Sequence, residues 1–306
     1  MVERANPSFT PEHLRFLEYL RAVGTGPKGN RDLSYDETRD AFELILHRRI
    51  PDTLISAFLL GWRVRGERGE ELQACVDLLA ERTAPHRGEG VEIGYPMDGK
   101  AKFPPIMLEA AALIPELPVH TAVDLPLGPK YGVTADQFPP FSSNVQLHRR
   151  GELIPELSAL SGLRNDLGLR TAFNTLEKLY FLAPAALIGM HHAPYFDLYA
   201  ALYQKHYRRL IIVQGHEGTP EILKKTKYKL VEGEQVSTHT IDPEEFGIAP
   251  IAAKETMDPD QMKSLLAHPD SNLVRMKVLN AAFIGWAAGL FSTTQEGYES
   301  LIRKVR

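Results

Sequence analysis

The apolar residues change period near residue 90. Before it, "TRDAFELILHRR", "DTLISAFLLGWRVRG" and "GEELQACVDLLAERT" repeat every three to four positions, as amphipathic helices do, and no strand candidate interrupts them. After it, the short runs "VEIGY", "PVHTAV", "ALIGMH" and "RRLIIVQG" alternate with helical stretches such as "PYFDLYAALYQKHY". That alternation builds a mainly parallel sheet, because parallel neighbours need a crossover and the crossing helices cover the faces. The expected fold class is α/β. A small all-helical domain spans residues 1–88, and a larger α/β domain, its mainly parallel sheet flanked by helices, spans residues 89–306.

Local signals add detail. Thr10-Pro11-Glu12 starts the first helix, and Ser34 with Glu37 and Thr293 with Glu296 make capping boxes. "KYKLVEGEQVSTHTI" reads as a hairpin turning at Glu232-Gly233. The proline-rich stretch 136–157 reads as a loop crossing between subdomains, and the last helix ends in the basic tail "IRKVR".

With 306 residues the chain can bury a full core. Cys75 is its one cysteine, which excludes an intrachain disulfide and a cysteine zinc site and favours a reducing compartment. "MVERANPSFTPEH" lacks an apolar signal core, and "VLNAAFIGWAAGLF" is too short and polar to span a bilayer. The expectation is a soluble cytoplasmic protein that does not enter membranes. A net charge of −4 disfavours nucleic acid, yet residues 100–230 hold fifteen Lys/Arg against eleven Asp/Glu.

Five stretches invite chemical readings. "GTGPKG" at 24–29 has the form of a dinucleotide fingerprint but follows a helix, so it reads as a connector. His191-His192 has no carboxylate at helical ligand spacing, and adjacent strand residues face apart, so it reads as structural. "KKTKYK" at 224–229 fits a phosphate-contact strip or a solvated hairpin edge. "LGLRTAFNTLEKL" at 167–179 puts Arg170 where a turn enters a helix, as a fork for an anion or as half of an internal ion pair. "GYPMDGKAKFPP" at 94–105 has the glycine, aspartate and lysine of a phosphate loop, but proline offers no N–H to a phosphate oxygen.

Taken in order, these segments resemble the anthranilate phosphoribosyltransferases and their nucleoside-phosphorylase relatives. "LGLRTAFNTL" is similar to that family's LGxRTxFNxL, "IIVQGHEGTPEI" and "TIDPEEFGI" to its acidic loop and DPxxFG segment, and "NAAFIGWAAG" to its late helix. The resemblance implies a homodimer through the helical domains. The apolar content of "AFELILHRR" and "SAFLLGWRVRG" points the same way. It also implies that the chain returns to the helical domain around residues 150–180.

The family's functional loops are altered here. GTGGDG becomes Gly94-Tyr95-Pro96-Met97-Asp98-Gly99, and TFNIST becomes Lys102 through Met107 with two prolines. Each donor lost opposite a charged oxygen costs about 1.5–3 kcal/mol. KHGNR keeps only His120, Lys130 and Gly132 match a later KxG, and the paired magnesium-binding Asp-Glu becomes Pro220-Glu221 with Glu217 nearby. Ile154-Pro155 stands where a His-Pro helps position anthranilate, and Arg170 matches the anthranilate-contacting arginine. "PKYG" and "TLEKL" segments are similar to those of the family's divergent second branch, whose members lack anthranilate transfer and in one studied case bind nucleic acid.

The resemblance implies a substrate site of Gly94, Asp98, Gly99, Lys100, Lys102, His120, Lys130 and Arg170, with Glu217 and Glu221 as candidate Mg²⁺ ligands. The leading expectation is a family member with a degraded phosphoribosyl diphosphate loop and without efficient anthranilate transfer. A second is a homodimer binding single-stranded nucleic acid in a basic interdomain groove of Lys100, Lys102, Lys130, Arg149, Arg150 and Arg170. A third is a pentosyltransferase or phosphorylase for another phosphorylated ribose or nucleoside.

Overall fold

The computed structural model describes residues 8–192 and 195–305. The first residues of the leader reading and the last residue of the basic tail lie outside them. Four helices come first: α1 (Pro11–Gly24), α2 (Tyr35–Leu46), α3 (Asp52–Arg65) and α4 (Gly69–Thr83). Thr10 and Ser34 cap α1 and α2 by accepting the His13 and Glu37 N–H groups. The "GTGPKG" stretch joins those two helices and carries no strand.

The α/β part runs β1 (Val91–Gly94), α5 (Ile106–Ala110), β2 (Val119–Val123), β3 (Val145–Arg149), then four short helices, α6 (Arg150–Leu153), α7 (Pro155–Ser158), α8 (Ser161–Leu167) and α9 (Phe173–Leu176). It continues through β4 (Ala185–Gly189), α10 (Tyr195–Tyr203), β5 (Arg209–Val213), β6 (Thr226–Glu232), β7 (Gln235–Ile241), α11 (Pro259–Ala267), α12 (Ser271–Ala288) and α13 (Thr294–Val305). The seven strands lie in the order β3-β2-β1-β4-β5-β6-β7. Pairing is parallel from β3 to β5 and antiparallel in the β6–β7 addition.

Strand alternation divides the core in two. Ala186, Ile188, Leu210 and Ile212 face the helical layer with Phe16, Phe58, Trp62 and Cys75. Ala185, Leu187, Ile211 and Val213 face the other way, onto Phe283 and Ile284 of α12. Leu157, Leu160 and Leu163 belong to the same cluster as Trp62, so the stretch after β3 packs with the helical layer.

The structure corrects three readings. Stretch 136–157 is not all loop: it contains β3, an edge strand whose largely uncovered residues form no apolar run. Glu232 pairs with Gln235, so the hairpin turns at Gly233-Glu234, with Gly233 at φ 57°. The "AFELILHRR" helix offers no free apolar face, because Ala41, Phe42, Leu44, Ile45 and Leu46 are all buried within the chain.

Two ties place the segments that matter for the site. Glu92 on β1 is buried and accepts the Tyr180 and Leu182 N–H groups at 2.6 and 2.9 Å and the Tyr207 hydroxyl at 2.7 Å. This fixes the chain just after α9 to the sheet. Asn280 of α12 clasps Ile222, accepting its N–H and donating to its carbonyl, both at 2.9 Å, which anchors the loop after β5.

Candidate functional site

A cleft of about 180 Å³ opens beyond the C-terminal ends of β1 and β4. Its wall is built from loop 96–98, segment 170–178, His191 and His192, the start of α10, and Glu217-Gly218. Such a crevice at strand C-termini is where α/β sheets place ligands.

The phosphate-like loop is spoken for by its own protein. The Gly99 N–H closes a turn on Pro96 O, and Lys100 exchanges backbone hydrogen bonds with Val133. The next two N–H groups, of Ala101 and Lys102, donate at 2.8 and 2.9 Å to the two carboxylate oxygens of Glu217. Lys130 Nζ adds a third contact to Glu217, at 2.8 Å. Glu217 reaches this position with a left-handed backbone, φ 56°, uncommon outside glycine. Burial pushes its carboxyl up, but Lys130 and the two amides hold it below the ordinary range. A resident carboxylate therefore fills the donor pair that a phosphate oxygen would need.

Glu221 is also engaged. Its carboxylate accepts from Lys100 Nζ at 2.5 Å, from the Tyr95 hydroxyl at 2.9 Å and from the Thr219 hydroxyl, all buried. Burial lowers the Lys100 ammonium, with Glu221 opposing the shift. Glu217 and Glu221, the carboxylates that could hold a magnesium, are each paired with a lysine, and among the described residues no group of three metal-ligating side chains converges. A magnesium there would have to compete with Lys130 and Lys100 and complete its shell with water or ligand oxygens.

The retained glycines have steric reasons. A Cβ on Gly94 would lie 2.3 Å from the Lys178 carbonyl oxygen, and one on Gly99, at φ +77°, would lie 2.4 Å from Gly132 C. Both keep the loop close to its neighbours.

The expected cations scatter. Arg170 stands at the cleft, 57% exposed, with Nη2 at 2.6 Å from Asp98. Lys102 is half-buried at the loop. Lys100 and Arg150 are interior, which corrects their assignment to an open groove. Arg150 binds Glu177, Asp124 and the Leu157 carbonyl with its side chain fully buried. Arg149 pairs with Asp136 at 2.6 Å on the edge strand. His120 lies near the start of β2, the sheet end away from the cleft, bonded to His148 and the Glu89 carbonyl. It does not join the site, and burial lowers its ring below the usual histidine range.

His191 and His192, read from the sequence as structural, stand exposed at the cleft rim. One wall residue escaped the sequence reading. Lys178 lines the cleft with its Nζ 3.1 Å from the Gly218 carbonyl oxygen. Burial lowers its ammonium to about 8; Asp98 raises it, while Arg170 and Lys130 lower it. Its segment "TLEKL" stands out in the sequence, but nothing local to it shows that the lysine is drawn inward. Two further wall residues carry buried atoms without a partner, Thr171 Oγ1 and Arg164 Nη2. Each such atom costs about 1–3 kcal/mol until something binds it.

Comparison with known proteins agrees with the fold. Residues 17–83 match the model of the glycosyl transferase family helical bundle domain, and residues 144–305 that of the family's a/b domain. An uncharacterized protein of Aquifex aeolicus is 31% identical over 230 residues, 71% of this chain and 74% of its own. An anthranilate phosphoribosyltransferase of Persephonella marina is 26% identical over 318 residues, 92% of each chain. The solved anthranilate phosphoribosyltransferase of Thermus thermophilus superposes with a TM-score of 0.73 at 20% identity, covering 95% of this chain and 94% of that one. The Saccharomyces cerevisiae enzyme in complex with PRPP and Mg gives 0.72 at 16% identity, covering 94% and 92%. With its helical layer and its α/β part both matched, the chain belongs to this glycosyl transferase family, and over nearly its whole length it is similar to anthranilate phosphoribosyltransferases.

Proposed function

We propose that this chain is a divergent member of its family that does not transfer phosphoribose to anthranilate efficiently, and that its cleft holds a small phosphorylated ribose or nucleoside without a divalent metal. The observation that carries this reading is Glu217, whose carboxylate takes the Ala101 and Lys102 N–H groups together with Lys130. Transfer from phosphoribosyl diphosphate requires donors and cations free to receive charge as the diphosphate departs. Here those donors already hold a carboxylate, and Lys100 and Lys130 neutralise the acidic residues internally. Purified protein given anthranilate, phosphoribosyl diphosphate and Mg²⁺ is expected to form product slower than ~10⁻³ s⁻¹, and turnover near ~1 s⁻¹, an ordinary enzyme rate, overturns the reading. Addition of millimolar Mg²⁺ is expected to leave the melting temperature unchanged.

A nucleic-acid reading draws on a different surface from the groove first expected. Lys224, Lys225 and Lys227 border an open concavity of about 460 Å³ with His191 and His216. Spaced cations of this kind suit a phosphate backbone. A labelled oligonucleotide should bind at low ionic strength and lose affinity in Lys224→Glu/Lys227→Glu; no shift at low salt removes this reading.

The proposed assembly is a homodimer through the N-terminal helices. Leu60 and Val64, 43% and 80% exposed, lie four residues apart on one stripe of α3, beside α1 with its exposed Leu14. Among the described residues no helix is long and apolar enough to cross a membrane.

A further inference from the structure

Every carboxylate at the cleft is committed to a cation other than Lys178. Asp98 holds Arg170 at 2.6 Å. Glu217 holds Lys130 and two loop amides. Glu177 accepts both Arg164 and Arg150, the former through both oxygens at 2.7 and 2.8 Å. Lys178 sits among these pairs with a backbone carbonyl, Gly218 O, as the partner of its Nζ, and no carboxylate among the described residues forms an ion pair with it. A desolvated ammonium without a counter-ion is costly, and its neighbours leave the deficit to be met from outside.

We propose that Lys178, with Thr171, Asn174 and Arg164 around it, forms a phosphate-receiving site at the floor of the cleft. This rests on the reading of the cleft as a phosphorylated-ribose site, and it moves the phosphate away from the loop at 94–105 where sequence placed it. Several observations converge. Lys178 Nζ spends one N–H on Gly218 and has two left. Thr171 Oγ1 and Arg164 Nη2 are buried without partners in the same wall. Asn174 Oδ1 is turned to the Thr171 N–H at 3.2 Å, so its amide nitrogen is free to donate. A set of donors spread over four residues suits the three terminal oxygens of a phosphate better than the two coplanar oxygens of a carboxylate. His191 and His192 at the rim add ring N–H donors. A volume of about 180 Å³ suits a pentose phosphate and is below the roughly 300–1,000 Å³ of sites for larger ligands.

The test is calorimetric titration of the full chain with ribose 5-phosphate, inorganic phosphate and benzoate. Wild type should bind the first two and not benzoate. Lys178→Gln should weaken both by about tenfold or more, Thr171→Val should weaken them less, and Lys263→Gln on α11, which lines neither the cleft nor the outer concavity, should change neither. Unaltered ribose 5-phosphate affinity in Lys178→Gln overturns the site and leaves the cleft reading standing. Inorganic phosphate bound through Lys178, with ribose 5-phosphate refused, supports the site and removes the ribose reading. Benzoate binding in place of phosphate overturns the assignment of ligand class. Where Lys178→Gln does not fold, wild type treated with pyridoxal phosphate and borohydride is mapped by mass spectrometry. Labelling of Lys178 that inorganic phosphate suppresses supports the site; labelling indifferent to phosphate overturns it.

Discussion

Lys100 Nζ lies 2.5 Å from Glu221 Oε1 in the interior, with side-chain exposures of 4% and 0%. The loop that most looks like a phosphate cradle thus turns its first lysine inward, onto an acid 121 residues away. Removing one partner strands the other charge. Lys100→Met alone is expected to lower the unfolding free energy by about 3–5 kcal/mol, while Lys100→Met/Glu221→Gln should cost clearly less than Lys100→Met and Glu221→Gln added together. Urea denaturation of the four proteins of this cycle measures the coupling, and strictly additive costs would show that the pair is not coupled.

Glu92 is a structural acid whose three donors define its role. Glu92→Gln keeps one acceptor oxygen but turns its NH2 against the donors at the other, and is expected to cost about 1–3 kcal/mol, whereas Glu92→Leu orphans all three donors and should cost more. Because that tie holds the chain beside Lys178, the leucine variant should also weaken phosphate binding. Equal stability of the two variants in chemical denaturation would contradict the role.

Lys178 gives stability a defined pH dependence. Its folded value, about 8, is below the ordinary lysine value of 10.5. Between those values the unfolded chain holds a proton that the folded chain has lost, so unfolding takes one up and this site's contribution to stability rises with pH. Below about pH 8 both states are charged and the burial penalty is present in full. Wild type should therefore gain on Lys178→Met as pH increases from about 7.5 to 9.5, and a gap independent of pH would refute the assignment. Phosphate affinity should move the opposite way, weakening as the ammonium loses its proton.

The α3 stripe makes the dimer testable. Val64→Asp places a charge where an 80% exposed valine stands in the single chain, so it should leave the melting of an isolated subunit nearly unchanged. In sedimentation at micromolar concentration wild type is expected to run as a dimer and Val64→Asp as a monomer, a weakening of at least about tenfold. A wild-type monomer under those conditions would refute the interface.

Much of the fold is legible in the sequence alone. The shift from helical to strand period near residue 90 marks where the helical layer yields to the sheet, and the caps at Thr10 and Ser34 start the helices where expected. These signals are local: periodicity and capping depend on neighbours within a turn or two of the chain. β3 was missed because an edge strand covered on one side leaves no run of apolar residues to detect. Of the site, Asp98, Lys130 and Arg170 were recognised as residues, and Lys178 was not. What each of them does was decided by tertiary structure. Lys100 and Lys130 became internal counter-ions, and Lys178 was left without one, because the path of the chain brings Glu221 and Glu217 to the first two and only the Gly218 carbonyl to the third. Sequence determines which side chains carry charge; whether that charge is spent inside the protein or kept for a ligand depends on partners more than a hundred residues away and on the water excluded between them.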